Sequence, residues 1–187
     1  EVYQGPLTTS STPIITLHPP FNVLGGGQII GTGMNIVGLA PTPDSEYLWV
    51  SDSDRNRVFR IREPLTNPVV DIIIGQQNLA GTSCNQGLIP PPNVDGNQVA
   101  GRNMLCRPGT LRFDNFGNLY ISDHFFESEG NWRLLMFSGD LFPDNLTEPL
   151  YNIFATKEFP RQNTFGNISY SHATFEVAFN SANRMVT

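Results

Sequence analysis

The chain has 187 residues, a net charge of −6 and a pI near 4.9. That is one domain's worth of chain, with the wrong charge for nonspecific binding to DNA, RNA or an anionic lipid surface. Charged residues are only 15%, but 39% hydrophobic residues with thirteen Phe exclude wholesale disorder, and no apolar run approaches the ~20 residues of a membrane helix.

The chain opens Glu1-Val2-Tyr3-Gln4, with neither Met nor a basic-then-apolar leader. The expectation is a removed targeting segment or a piece of something longer. Thr8-Thr9-Ser10-Ser11-Thr12 reads as a flexible polar leader, or as sites for O-glycans. Pro13-Ile14-Ile15-Thr16-Leu17 follows as a compact β-prone stretch, and Pro20 to Gly25 as a further short strand. Residues 1–29 are therefore expected to form an N-terminal arm that offers a closing or exchanged strand. The Gly25-Gly26-Gly27 run, with Gly31 and Gly33, is no phosphate loop, because no Gly-Lys-[Ser/Thr] ending and no helix follow it.

From Val37 onward the sequence repeats itself. Tyr47-Leu48-Trp49-Val50-Ser51-Asp52 matches Asn118-Leu119-Tyr120-Ile121-Ser122-Asp123. Arg57-Val58-Phe59-Arg60-Ile61 matches Arg133-Leu134-Leu135-Met136-Phe137, and Leu65-Thr66-Asn67-Pro68 matches Leu146-Thr147-Glu148-Pro149. The offset is 71 residues at Ser-Asp, 76 at Arg and 81 at Leu-Thr-x-Pro, as loop insertions between equivalent strands produce. A third copy starts at Ala173-Thr174-Phe175-Glu176-Val177-Ala178-Phe179, turns at Asn180 to Asn183 and breaks off within Arg184 to Thr187. Each copy is four short Val/Ile/Phe/Tyr/Trp-rich segments between Gly, Asn, Asp, Ser or Pro, which predicts strands and an all-β fold of four-stranded antiparallel meanders. Asp114-Asn115-Phe116-Gly117 supplies a turn in which Gly takes positive φ. Such sheets bury both faces only by packing on one another.

The pattern resembles the NHL repeat, a blade of a β-propeller. The second copy carries it on Pro108, Gly109, Leu111, Asp114, Gly117, Asn118, Leu119, Tyr120, Ile121, Asp123, Arg133 and Leu134. The first carries it on Leu48, Trp49, Val50, Asp52, Asn56, Arg57 and Val58, without the Asp-x-x-Gly turn. The stretch from Ile73 to Asn78, then Cys84-Asn85 and Leu105-Cys106-Arg107-Pro108, is similar to the inter-blade insertion of secreted members. The resemblance implies propeller blades over residues 30–187, two full and a truncated third. Since propellers use four to eight blades, the ring is incomplete within this chain. Either a longer polypeptide or neighbouring copies are expected to complete it.

Four residues, Asp52 with Arg57 and Asp123 with Arg133, are candidates for a repeated ion pair. An Asp ending one strand accepts N–H bonds across the turn and pairs with the Arg of the next. A role that recurs in every copy serves the copy, whereas a catalytic site usually occurs once, so no catalytic residue is assigned. Trp49 and Tyr120 are read as packing residues. His18, His124 and His172 occupy non-equivalent places without ligand spacing. Asp52-Ser53-Asp54 offers too few oxygens for calcium, and no Gly-x-Ser-x-Gly elbow occurs. No metal or cofactor is assigned.

Cys84 and Cys106 bracket a Gly/Pro/Asn-rich stretch and are read as a disulfide, against the alternative of two unrelated buried thiols. Asn145-Leu146-Thr147 and Asn167-Ile168-Ser169 are N-glycosylation sequons. With a single Lys and a disulfide, they favour a secreted, extracellular protein. The function expected is a non-enzymatic scaffold or interaction module, a glycosylated self-assembling fibre subunit whose partners are other copies, other extracellular proteins and its own N-linked glycans. The alternatives are a carbohydrate- or peptide-binding propeller, and a lyase or hydrolase with a divalent metal in the axial channel.

Overall fold

The computed structural model describes residues 17–29, 31–42, 44–88, 100–126 and 129–160, and two short strands at 178–179 and 185–186. At 124–126, 129, 160 and in those two strands it describes the backbone alone. Among the described residues the fold is all β, with three single-turn 3-10 segments and no α-helix. None is long and apolar enough to cross a membrane as a helix.

Strands β1 (Phe21–Val23) and β2 (Gln28–Ile29) form a small antiparallel hairpin. Then β3 (Ile36–Pro41), β4 (Tyr47–Asp52), β5 (Arg57–Arg62) and β6 (Val69–Ile74) make a continuous antiparallel meander. A second four-stranded antiparallel sheet is built from β7 (Leu111–Phe113), β8 (Leu119–Phe126), β9 (Glu129–Phe137) and β11 (Lys157–Pro160). Far along the chain, β12 (Ala178–Phe179) pairs antiparallel with β13 (Met185–Val186), where the sequence places the start of a third copy. Neither sheet closes into a barrel.

One expected strand goes elsewhere. The Leu146 to Phe154 stretch, read as the fourth segment of the second copy, does not pair with β9. Its two-residue strand β10 (Leu150–Tyr151) lies parallel to Ile72 and Ile73 of β6. Beyond it Asn152 adopts the left-handed conformation (φ 57°), and Lys157–Pro160 becomes the fourth strand. The reason lies in β6, buried from Val70 to Ile74. Its outer edge would leave backbone groups unpaired away from water, and β1, parallel at Val69 and Val70, and β10 divide that edge between them. A strand covered on both sides reads as a nearly unbroken apolar run, and Val-Val-Asp-Ile-Ile-Ile is one.

The two sheets pack the same way up. Trp49, Val58, Ile72 and Ile74 of the first sheet meet Leu111, Leu119, Ile121, Leu135 and Phe137 of the second in the main core. The opposite face of the first sheet, with Val50, Phe59 and Ile61, is covered by Phe21, Val23 and Ile29 of the β1–β2 hairpin. Trp49 and Tyr120 thus hold corresponding places on second strands, yet Trp49 faces the other sheet whereas Tyr120, with Leu134, Met136 and Phe159, faces away from it. Two sheets facing each other symmetrically would have put both aromatics into one core. At the contact, a Cβ on Gly38 would lie 2.5 Å from the Gly109 carbonyl oxygen, so only glycine lets these strands approach so closely.

Candidate functional site

The charged residues singled out by the repeat collect at the ends of the β4–β5 and β8–β9 hairpins. In both sheets the same scheme recurs. Asp52 Oδ1 accepts the backbone N–H of Asn35 (3.1 Å) and its Oδ2 the Nε–H of Arg57 (3.2 Å). Asp123 Oδ1 accepts the backbone N–H of Cys106 (2.7 Å) and its Oδ2 the Nε–H of Arg133 (2.9 Å). Asn35 and Cys106 each lie 17 residues before their aspartate. Each carboxylate therefore fastens the entry of its sheet's first strand to its central hairpin. In each hairpin the residue preceding the arginine, Asn56 (φ 53°) or Trp132 (φ 51°), takes the left-handed conformation that aims the guanidinium back at the aspartate.

Both aspartates are fully buried. Burial pushes their carboxyls above the usual carboxylate range, with the donated N–H groups and the guanidinium pulling the other way. Burial likewise lowers Arg57, opposed by Asp52. These are desolvated pairs spent on holding backbone.

A third buried pair escaped the sequence reading. Arg60 makes a two-pronged bond to Asp71, 2.9 Å on each arm. It also lies 4.0 Å from the Tyr47 ring centroid and donates to the carbonyls of Phe142 and Pro143. Its signal was present as one charge in each of two apolar runs, Val-Phe-Arg-Ile and Val-Asp-Ile, which neighbouring strands can bring together only as a pair. Tyr47 donates its hydroxyl to Asp144 (3.0 Å), and burial together with that bond pushes it up to about 12.

Cys84 and Cys106 are joined, 22 residues apart in sequence. Their bridge ties the inserted loop to the segment leading into the first strand of the second sheet, and amide side chains extend the tie. Asn85 and Asn131 exchange two hydrogen bonds (3.0 and 2.8 Å), and Asn131 also donates to Asp123 (2.7 Å). Asn56 accepts the N–H of Arg107 (2.8 Å) and donates to the Thr82 carbonyl (2.9 Å). The two hairpin ends and the loop thus form one polar rim.

Of the remaining candidates, Asn145 and Thr147 are exposed. Their loop is pinned by Arg60 at Phe142 and Pro143 and by Tyr47 at Asp144. Asn167 and His172 lie outside the described residues, as does the side chain of His124, and His18 is exposed. The stretch Pro13 to Thr16 also lies outside, so the expected closing strand is undescribed; the described part of the arm, β1, joins the first sheet. Among the described residues no three His, Cys, Asp or Glu side chains gather to hold a metal ion.

No protein-family model and no curated protein matches this chain. Eleven chains of solved structures do. One is a Bacteroides uniformis protein named for 6-phosphogluconolactonase activity, 16% identical across 84% of this chain, with a TM-score of 0.42. This chain spans 36% of that protein's length. A likeness so distant says nothing of what the chain binds or catalyses.

Proposed function

We propose that the chain is a non-enzymatic extracellular scaffold or interaction module made of NHL-type propeller blades, with an N-terminal arm over residues 1–29 and the blade segment over 30–187. The observation that carries the reading is the repeated Asp–Arg scheme. Asp52 and Asp123 each engage both carboxylate oxygens with groups of the repeat itself, a role in holding backbone and arginine in place that supports a structural assignment. The head-to-tail orientation of the two sheets supports the blade assignment, since each presents to the next the face its predecessor presented to it.

The disulfide and the exposed Asn145 on its pinned loop support secretion and N-glycosylation. Two four-stranded sheets fall short of the four blades of the smallest ring. Completion then calls on a longer polypeptide or on neighbouring copies, and in the second case a head-to-tail contact polymerises unless its rotation closes.

Electron microscopy and light scattering of the glycosylated chain test this. Rings or filaments growing with concentration are expected, and isolated monomers at high concentration would overturn self-assembly. A second reading, a carbohydrate- or peptide-binding module, is favoured by the amide-lined rim around Asn85, Asn131 and the half-buried Trp132. Glycan and peptide arrays decide it: saturable binding lost in Asn131→Ala supports that module, and uniform silence supports the scaffold.

A further inference from the structure

The far face of the first sheet is covered unevenly. Val50 of β4 and Phe59 and Ile61 of β5 are buried there against Phe21, Val23 and Ile29 of the β1–β2 hairpin. That cover stops one strand short of β3. Leu39 lies opposite Val50 and Ile36 opposite Asp52, and residues directly opposite on antiparallel strands point to the same side. Both therefore belong to the far face, yet Leu39 is 51% and Ile36 43% exposed. Their neighbours Gly38 and Ala40 face the second sheet, Gly38 at Gly109 and Ala40 in the main core. Among the described residues β3 pairs with β4 alone, so an apolar row and an unpaired backbone edge lie together, a combination that invites a partner.

The chain's own N-terminal arm leads to this row. Leu17 packs on the far-face cluster, as do Met34 and Leu48. Pro19 lies against Gly31, where a Cβ would come within 2.2 Å of its Cγ, and Gly31 belongs to the loop that runs into β3. Immediately before Leu17 stand Pro13-Ile14-Ile15-Thr16. In an extended chain Ile15 shares Leu17's side, roughly 7 Å away. A tethered segment meets the row at an effective concentration of about a millimolar or more, well above that of a second copy in dilute solution.

We infer that residues 13–16 dock across β3 of their own chain, with Ile15 closing the far face over Ile36 and Leu39. Such docking needs only the first sheet, so it stands apart from the scaffold role proposed for the whole chain. Cross-linking of the full chain tests it. Its two cysteines are already joined, so Ile15→Cys with Leu39→Cys adds one pair of free thiols, which bridge only when their Cα atoms come within about 7 Å. Diamide should close that pair within the monomer at least tenfold faster than a control pair of Ile15→Cys with Thr66→Cys, an exposed position between β5 and β6. Separately, Ile15→Ser should lower the Tm of the wild type by about 2–4 °C and leave that of Leu39→Ser unchanged. Bridging only between two chains, equal rates for the two pairs, or additive losses of Tm would each overturn the docking.

Discussion

A carboxylate that has lost its water must recover the cost from its partners, and Asp123 does so with three donors: the Cys106 N–H, Asn131 and Arg133. Asp123→Asn keeps the shape but leaves Arg133 with only the Glu158 carboxylate at 3.2 Å. A loss of about 3–5 kcal/mol is expected, read as a lower urea midpoint at unchanged slope. Asp52→Asn should cost at least as much: Asp52 anchors two donors rather than three, but Arg57 has no second carboxylate among the described residues to fall back on. Tyr47 carries a pH signature. Its hydroxyl is raised to about 12 in the fold and ionises near 10 when unfolded. The native state therefore holds the proton longer, and the stability this group contributes is complete below pH 10 and lost as pH rises towards about 12. Tyr47→Phe should flatten that alkaline decline; an unchanged profile would place the titration elsewhere.

At the scale of the strand pair, the close approach of Gly38 to Gly109 sets how tightly the sheets meet. Gly38→Ala puts a methyl group against a backbone carbonyl that has no rotamer to escape with, so a loss of roughly 1–3 kcal/mol is expected, seen in thermal unfolding. Replacing Cys84 and Cys106 by Ser frees a loop of 22 residues' separation and should cost about 3 kcal/mol by restoring freedom to the unfolded chain; calorimetry with and without reductant checks it.

This is also the scale at which the sequence was most and least informative. Short alternating segments and Asp114 to Gly117 marked strands and turns because their signals are local: Gly117 does take φ 79°, and Asp114 accepts the N–H groups of Phe116 and Asn118 (2.9 Å each). The Asp/Arg pairs were legible because they recur. The crossing of β10 to β6 was not, since it answers the needs of a strand some 80 residues earlier, and the likeness of Leu146-Thr147-Glu148-Pro149 to Leu65-Thr66-Asn67-Pro68 pointed to the wrong neighbour. Glu158 had no counterpart in the first copy, so no comparison of the copies could have paired it with Arg133.

For the whole molecule, one arrangement is folded twice and laid head to tail. The far face of the first sheet packs on Phe21, Val23 and Ile29 of the β1–β2 hairpin, and β1 and β10 share its outer edge. That picture rests on the two Asp schemes being the same structure, and backbone amide NMR tests it most directly. The N–H groups of Asn35 and Cys106, each bound to a buried carboxylate, should both resonate far downfield. Asp52→Asn should return the Asn35 signal towards its ordinary position and leave Cys106, and Asp123→Asn should do the reverse. Only one of the two amides shifted downfield, or both indifferent to their aspartates, would contradict the repeated unit.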